Sequence, residues 1–353
     1  MQVYSSSKFM HFPDRIQALR AGRVVAPVHV RIKPINRCNH ACWYCAYRAD
    51  HLSLGEDMDL GDRIPEAKMR EIVGDLIAMG VKAVTFSGGG EPLLYKSLPE
   101  HIRRLAGGGV RVASLTNGAN LKGWMADAFA EHGTWVRVSL DAWDDASYAK
   151  SRSIREGAFT DLMRNLEDFV RRGSRCVLGA SFIVDATNCG HIADVCRRLR
   201  DAGVAHVKLS AAVVSNDVAE NNAYHHKLRG VVRAETEAAR ALESDTFRIV
   251  DHYHEMEDRF DKAYATCPYL QFLTVIGADG NVYTCQDKAY TESGKLGSIK
   301  DRSFRALWES EELRERIYAL DPSKRCRHHC VSHTKNEALH GLLALDPDHV
   351  PFV

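Results

Sequence analysis

No stretch of the 353-residue chain approaches the roughly 20 consecutive apolar residues that span a bilayer. The N-terminus, MQVYSSSKFMHFPDRIQALRAG, lacks the basic-then-apolar run of a secretory signal, so a cytoplasmic chain with no membrane partner is expected. An excess of either charge is also missing. With 47 Lys and Arg against 46 Asp and Glu, the formal net charge of +1 gives no electrostatic argument for nucleic acid as a partner. There is no G-x-G-x-x-G or Walker A motif, no cobalamin-binding region, no internal repeat and no low-complexity tract, so a second nucleotide cofactor has no support. What is left is globular composition, 45% hydrophobic and 26% charged, in a chain long enough for a large domain plus a small one.

Cysteine is the residue the sequence has in quantity. In a reducing compartment, clustered thiols point to metal and scattered ones to packing. The ten divide into three packed together (Cys38, Cys42, Cys45), four in the last quarter (Cys267, Cys285, Cys326, Cys330) and three alone (Cys176, Cys189, Cys196). Cys196 follows a core pattern with Ile192 and reads as packing.

Short β-rich runs alternate with helical patterns from residue 28 to about 214. In VHVRIKP, period-two alternation puts Val28, Val30 and Ile32 on one face. A helix follows, with Met69, Ile72, Val73, Leu76 and Ile77 at helical spacing and Pro65 near its first turn. Further strands are expected at 83–87, 110–116, 135–140, 177–184 and 206–214, with helices between them. Six such repeats argue for a parallel sheet with helices outside, and fit an incomplete barrel or a doubly wound sheet equally. Either places functional residues at the C-terminal ends of the strands. A helical connector near 219–244 leads to FLTVIGADGNVYTC, which reads as a β-hairpin, then to an amphipathic helix at 303–320 and a Cys/His-rich segment. The tail DPDHVPFV is expected to pack on the body.

Residues 36–47, NRCNHACWYCAY, give C-x₃-C-x₂-C directly after the first strand. Three thiolates on one loop can bind three irons of a cubane and leave the fourth open to a chelating molecule. Structural zinc would want a fourth ligand, which His40 or a distant cysteine could supply. The spacing, with Tyr44 in the aromatic position, resembles the signature of radical S-adenosylmethionine (SAM) enzymes. SGGGEP at 87–92, TNG at 116–118 and SLD at 139–141 follow in the order of that family, each at a strand end.

The resemblance covers about residues 28–214. It implies a [4Fe–4S] cluster on Cys38, Cys42 and Cys45 whose open iron takes the amino and carboxylate groups of SAM. It further implies that Gly88, Gly89, Gly90 and Glu91 meet the SAM amino group, that Ser139 meets the ribose or carboxylate, and that Tyr44, Asn117 and Asp141 lie close by. Arg152 would take the carboxylate, unless it is a solvated charge at a helix start, and Ser181 is a candidate for the ribose. A flavodoxin- or ferredoxin-type donor would supply the electron.

Cys267, Cys285, Cys326 and Cys330 can saturate one cubane or one zinc, and their spacing does not separate the two. The arrangement resembles the Twitch extension, a shortened relative of SPASM, although the terminal C-x₃-C differs from the C-x₂-C of the nearest pattern. It implies an auxiliary [4Fe–4S] cluster. His328, His329 and His333 are alternative ligands, more simply read as surface or neighbouring groups. The expected fold is therefore α/β, a partial (β/α)6 TIM-type barrel with a small C-terminal α+β Twitch-like domain. The expected divisions are 1–27 (extension), 28–215 (core), 216–262 (helical connector), 263–335 (auxiliary cluster) and 336–353 (tail).

About 27 residues before the first strand are too few for a peptide-recognition domain, which favours a small polar metabolite such as a sugar, nucleotide sugar or aminocyclitol. A fully ligated auxiliary cluster suits electron transfer, hence oxidation of an alcohol. Asp287, beside Cys285, and Lys208 are candidates to handle the substrate proton. Cys189 would be a hydrogen-atom donor if the outcome is epimerisation of a sugar. Modification of a peptide or protein is the remaining alternative.

Overall fold

The computed structural model describes residues 4–49, 52, 54–255, 259–346 and 348–352. Seven parallel strands form its core: β1 (His29–Ile32), β2 (Ala83–Phe86), β3 (Arg111–Thr116), β4 (Gly133–Ser139), β5 (Val177–Val184), β6 (His206–Ala211) and β7 (Arg248–Asp251). They pair in sequence order, β1-β2-β3-β4-β5-β6-β7. A doubly wound sheet reverses direction at a switch point, and this one never does, so the strands curve as an incomplete barrel.

Helices α2 (Glu66–Ala78), α3 (Leu98–Gly107), α4 (Gly123–His132), α6 (Ala158–Arg171) and α7 (Ile192–Asp201) connect the strands. Met69, Ile72, Val73 and Leu76 of α2 are buried with Val30, Ile32, Val84 and Phe86 of the strands. Alternation thus sends one set of strand residues outward under the helices and the other, including His29, Arg31, Thr85 and Arg137, into the barrel.

The segment expected to be a helical connector is α8 (Val218–His226), α9 (Arg229–Arg240) and then β7, which pairs with β6. Its four residues, RIVD, are too few to announce a strand by periodicity. The hairpin is present as β8 (Leu273–Ile276) and β9 (Asn281–Tyr283), turned at Gly280 with φ +72. Strand β8 lies parallel to β1, so the hairpin extends the same sheet, and β10 (Lys295–Ser298) closes that edge against β9. The single helix expected over 303–320 is two, α10 (Phe304–Trp308) and α11 (Glu311–Ala319), because Ser310 caps the second by accepting from the Leu313 N–H.

At the ends of the chain, Phe9 packs with Val28, Phe272 and Leu339 of α13 (His333–Leu343). The last described residues do not pack back: Phe352 is 83% exposed and Val350 is 48% exposed. Among the described residues, no helix is long and apolar enough to cross a membrane.

Candidate active site

The cysteine loop leaves β1 at Lys33 and is held from three sides. Lys33 Nζ, buried, donates to the Gly88 carbonyl at 2.6 Å and to the Tyr47 hydroxyl at 2.7 Å. Burial pushes its pKa down to about 7. Asn36 donates to the Asp59 carbonyl at 2.8 Å and accepts from the Tyr290 hydroxyl at 2.5 Å. On the third side the end of α5 (Asp145–Arg152) reaches the loop, where the Arg152 carbonyl accepts from Ala41 N–H at 2.9 Å.

Glycines 89 and 90 are explained by close approach to this loop, and Gly88 by the Gly90 carbonyl oxygen, 1.5 Å from where its Cβ would stand. A Cβ on Gly90 would stand 2.1 Å from the Arg37 carbonyl oxygen, and one on Gly89 would stand 2.3 Å from Asn36 Oδ1. The segment presses its backbone onto the cysteine loop, and only glycine permits it. Glu91 then binds within the protein: it accepts from Leu93 N–H at 3.0 Å, from the Thr116 hydroxyl at 2.6 Å and from Asn117 N–H at 2.7 Å. A carboxylate has about four lone-pair sites, so most of its capacity joins the β2 end to the β3 end. Asn117 in turn donates to Asn39 at 2.8 Å, with Nδ2 4.0 Å from Cys38 Sγ.

Arg152 is not a solvated charge. It stands in the last turn of α5, 1% exposed, and pairs with buried Asp141 at 2.5 Å. The same carboxylate accepts from the Tyr44 hydroxyl, from Ser139 at 3.2 Å and from Ile183 N–H at 2.6 Å. The guanidinium also reaches Ser139 Oγ at 3.1 Å and Cys42 Sγ at 3.6 Å. Tyr44, Ser139, Asp141 and Arg152 are thus one network, which touches a cysteine of the triplet. Its Arg152 Nε has no protein partner among the described residues.

In the second set, Asn336 Nδ2 lies 3.4 Å from Cys267 Sγ, and Cys330 N–H donates to the Arg259 carbonyl at 2.9 Å. Burial, nearby Asp287 and the other three thiols all raise the Cys285 pKa well above its usual value, which places the four together. The histidines beside them are not surface groups. His328 and His333 are buried; His328 is pushed down to about 3 by burial, and His333 contacts Tyr264 at 3.1 Å.

Burial also raises Cys38 and Cys267 to about 11 and Cys330 to about 12, so these thiols need a cationic centre to be held as thiolates. Soft thiolate donors receiving N–H groups suit iron–sulfur clusters. The residues present therefore fit clusters at both loops.

Between the loops lies a cavity of about 1020 Å³ inside the barrel. Tyr44 and Ala46 of the first cysteine loop form part of its wall, and Gln286, Asp287, His329 and Val331 of the second form another part. Ser181 and Lys208 line it as well. Burial raises the Asp287 carboxyl against the pull of Val331 N–H and Arg31, and burial with nearby arginines pushes Lys208 down to about 7. Cys189 is not on this wall. The short 3-10 turn at Cys189–His191 buries its thiol in the core with Ile192, 3.8 Å from the Ala186 carbonyl oxygen. Cys176 and Cys196 are core residues as well. Arg31, Arg137, Arg259 and Lys335 also line the cavity and were missed by the motif reading. In sequence Arg31 and Arg137 are ordinary polar positions of alternating strands, and Lys335 is one of a helix.

Comparison with known proteins agrees with this geometry. The radical SAM superfamily profile matches residues 32–185, and the profile of the SPASM iron–sulfur cluster-binding domain matches residues 267–331. An S-adenosylmethionine-dependent nucleotide dehydratase of Lacinutrix mariniflava is 31% identical over 113 residues, 32% of this chain and 23% of that protein. A GTP 3′,8-cyclase of Xanthomonas campestris is 32% identical over 139 residues, 38% of this chain and 40% of that protein. The chain thus spans less than half the length of these curated relatives. The structure of Streptococcus suis SuiB bound to S-adenosylmethionine superposes with a TM-score of 0.63 at 16% identity, over 94% of this chain and 80% of that one, and so shares the fold. The chain belongs to the radical SAM superfamily, in the subgroup that carries a SPASM iron–sulfur domain, and its cofactors are SAM, a [4Fe–4S] cluster and auxiliary iron–sulfur.

Proposed function

We propose that the chain is a radical SAM oxidoreductase that converts an alcohol of a small polar metabolite, of sugar, nucleotide-sugar or aminocyclitol type, to a carbonyl. The observation that carries this reading is the shared cavity, one part of whose wall is the first cysteine loop and another the second. Cys38, Cys42 and Cys45 would hold the SAM-binding cluster, and Cys267, Cys285, Cys326 and Cys330 the auxiliary one. When bound, SAM and its cluster supply the 5′-deoxyadenosyl radical that removes a hydrogen atom, and the auxiliary cluster accepts the one electron left on the substrate carbon.

The protein's part is positioning and proton transfer. Asp287 faces the cavity next to Cys285 and takes the hydroxyl proton as the carbonyl forms, so one hydrogen atom, one proton and one electron leave the alcohol. Its raised pKa suits a carboxylate that must accept that proton. The Tyr44–Asp141–Arg152 network and Ser139 hold the SAM end of the cavity, with Asn117 and glycines 88–90 fixing the loop that carries the cluster. Ser181 offers its hydroxyl to the ribose. A flavodoxin- or ferredoxin-type protein delivers the reducing electron. Epimerisation finds less support, since its hydrogen donor, Cys189, is turned into the core.

The test is anaerobic reconstitution, which should load about seven to eight irons, followed by incubation with SAM, a reductant and a panel of polyols. The expected product is two mass units lighter than its substrate, with 5′-deoxyadenosine formed alongside. Cys42→Ala should abolish SAM cleavage, and Asp287→Asn should lower the product formed per 5′-deoxyadenosine. Tight zinc without iron, or SAM cleavage by the Cys42 variant, would refute the assignment.

A further inference from the structure

The cavity wall carries positive charge that the described residues do not answer. Arg31 on β1, Arg137 on β4 and Lys208 on β6 face the same lumen, with Lys335 of α13 beside them. Among the described residues no carboxylate pairs with Arg31, Arg137 or Lys208. The Nε atoms of Arg31 and Arg137 are buried without a hydrogen-bond partner. Arg137 reaches one neutral group, the Tyr4 hydroxyl at 2.7 Å.

The carboxylates on the same wall are mostly taken. Asp251 contacts Arg240 at 3.3 Å and His254 at 2.8 Å, and Glu255 pairs with Arg259 and with His252 at 3.2 Å. That leaves Asp287, which accepts from the Val331 N–H at 3.4 Å. Among the described residues, four cations (Arg31, Arg137, Lys208 and Lys335) therefore face one carboxylate. Burial of several like charges is costly unless an anion joins them, and burial together with Arg137, Arg259 and Arg31 already pushes Lys208 down to about 7.

We propose that Arg31, Arg137 and Lys208 form the subsite for a phosphate or diphosphate group of the substrate, which is therefore a phosphorylated small molecule. A phosphate ester carries about 1.5 to 2 negative charges at neutral pH, which offsets the larger part of the excess on the wall. Two guanidinium forks can grip its oxygens with paired hydrogen bonds, and the lysine adds a point charge. A single carboxylate would leave most of the excess unanswered. The register fixes the depth of the subsite. Arg31 stands two residues before Lys33, about 7 Å of strand, and the cysteine loop begins at Lys33. The phosphate lies deep in the barrel and leaves the remainder of the molecule toward Tyr44.

The inference rests on the reading that the cavity takes a small substrate, but its test does not use turnover. Reconstituted holoenzyme with SAM is dialysed to equilibrium against radiolabelled inorganic pyrophosphate, with succinate as the dicarboxylate competitor. Saturable binding is expected, weakened at least tenfold in Arg31→Gln and in Arg137→Gln, with succinate a poor competitor. No saturable binding, variants that bind like the parent, or succinate competing as well as pyrophosphate would each overturn it, the last in favour of a polycarboxylate. Should the variants fail to fold, the unaltered protein gives the answer through phenylglyoxal modification read by peptide mass spectrometry. Pyrophosphate should protect Arg31 and Arg137, and equal labelling with and without it rejects the subsite. SAM-dependent oxidation without pyrophosphate binding leaves the proposed function standing and removes this inference. Pyrophosphate binding without SAM cleavage does the reverse.

Discussion

The Tyr47 hydroxyl donates to the Gln286 carbonyl oxygen at 2.7 Å, and so one side chain ties the loop of Cys45 to the loop of Cys285. A second tie runs from the Tyr290 hydroxyl to Asn36. The two tyrosine rings meet edge to face, 6.0 Å apart. Residues far apart in sequence thus hold the two cysteine loops as one assembly around the cavity.

Tyr47→Phe keeps the ring and removes the hydroxyl, which also accepts from Lys33 Nζ. The Gln286 carbonyl loses a donor and a buried ammonium loses an acceptor, so stability should fall by about 1–3 kcal/mol. Urea denaturation of the reconstituted protein measures it. An unchanged midpoint would mean that solvent replaces both bonds and that the loops are held by other contacts.

Much of this was legible in the sequence. The triplet, SGGGEP and the alternating strands carry local signals that survive folding, and the second cysteine set could be placed with two members bracketing a hairpin and two following it. Other features are set by tertiary contacts that leave no local pattern. Arg31 alternates with Val30 and Ile32 as any half-exposed strand residue would, and only barrel curvature makes its side an interior. Arg152 looks like a surface helix charge until Asp141 is found beside it. Cys189 sits in a loop by its neighbours, and a single 3-10 turn decides that its thiol faces the core.

Gly90→Ala should disable the first cluster while sparing the second. The new methyl group would stand 2.1 Å from the Arg37 carbonyl oxygen and 2.4 Å from that of Asn36, both backbone atoms of the cysteine loop. Displacing that loop moves Cys38 out of position. Iron content after reconstitution should fall from about eight to about four per chain, with SAM cleavage lost. Full iron loading would show that the loop absorbs the clash.

The Asp141–Arg152 pair should be strongly coupled. Asp141→Asn leaves the guanidinium buried without its counter-charge, at a cost on the order of 3 kcal/mol. It should also weaken SAM binding, because Tyr44 and Ser139 lose their shared acceptor. Adding Arg152→Gln to Asp141→Asn should cost less than the sum of the two single changes. A double-mutant cycle in urea reads this directly, and additive losses would show that the pair contributes little.

Acid should destabilise the fold through His206. This buried ring occupies the space left by Gly179, where a Cβ would lie 2.3 Å from it, and its Nε2 meets the Tyr4 hydroxyl at 3.2 Å. Burial, then the charge of Arg137, pushes its pKa down to about 4, below the ordinary value near 6.5. The unfolded chain therefore takes the proton first. The stabilising contribution is complete above pH 6.5 and is lost as pH falls from there toward about 4. At pH 5 the loss amounts to about 2 kcal/mol relative to pH 7.5. His206→Gln cannot titrate, so its stability should fall less steeply over that interval by about the same amount. Other buried histidines such as His29 titrate in both proteins and cancel in the difference. Parallel curves for the two proteins would mean that the ring is protonated, or solvated, in the folded state.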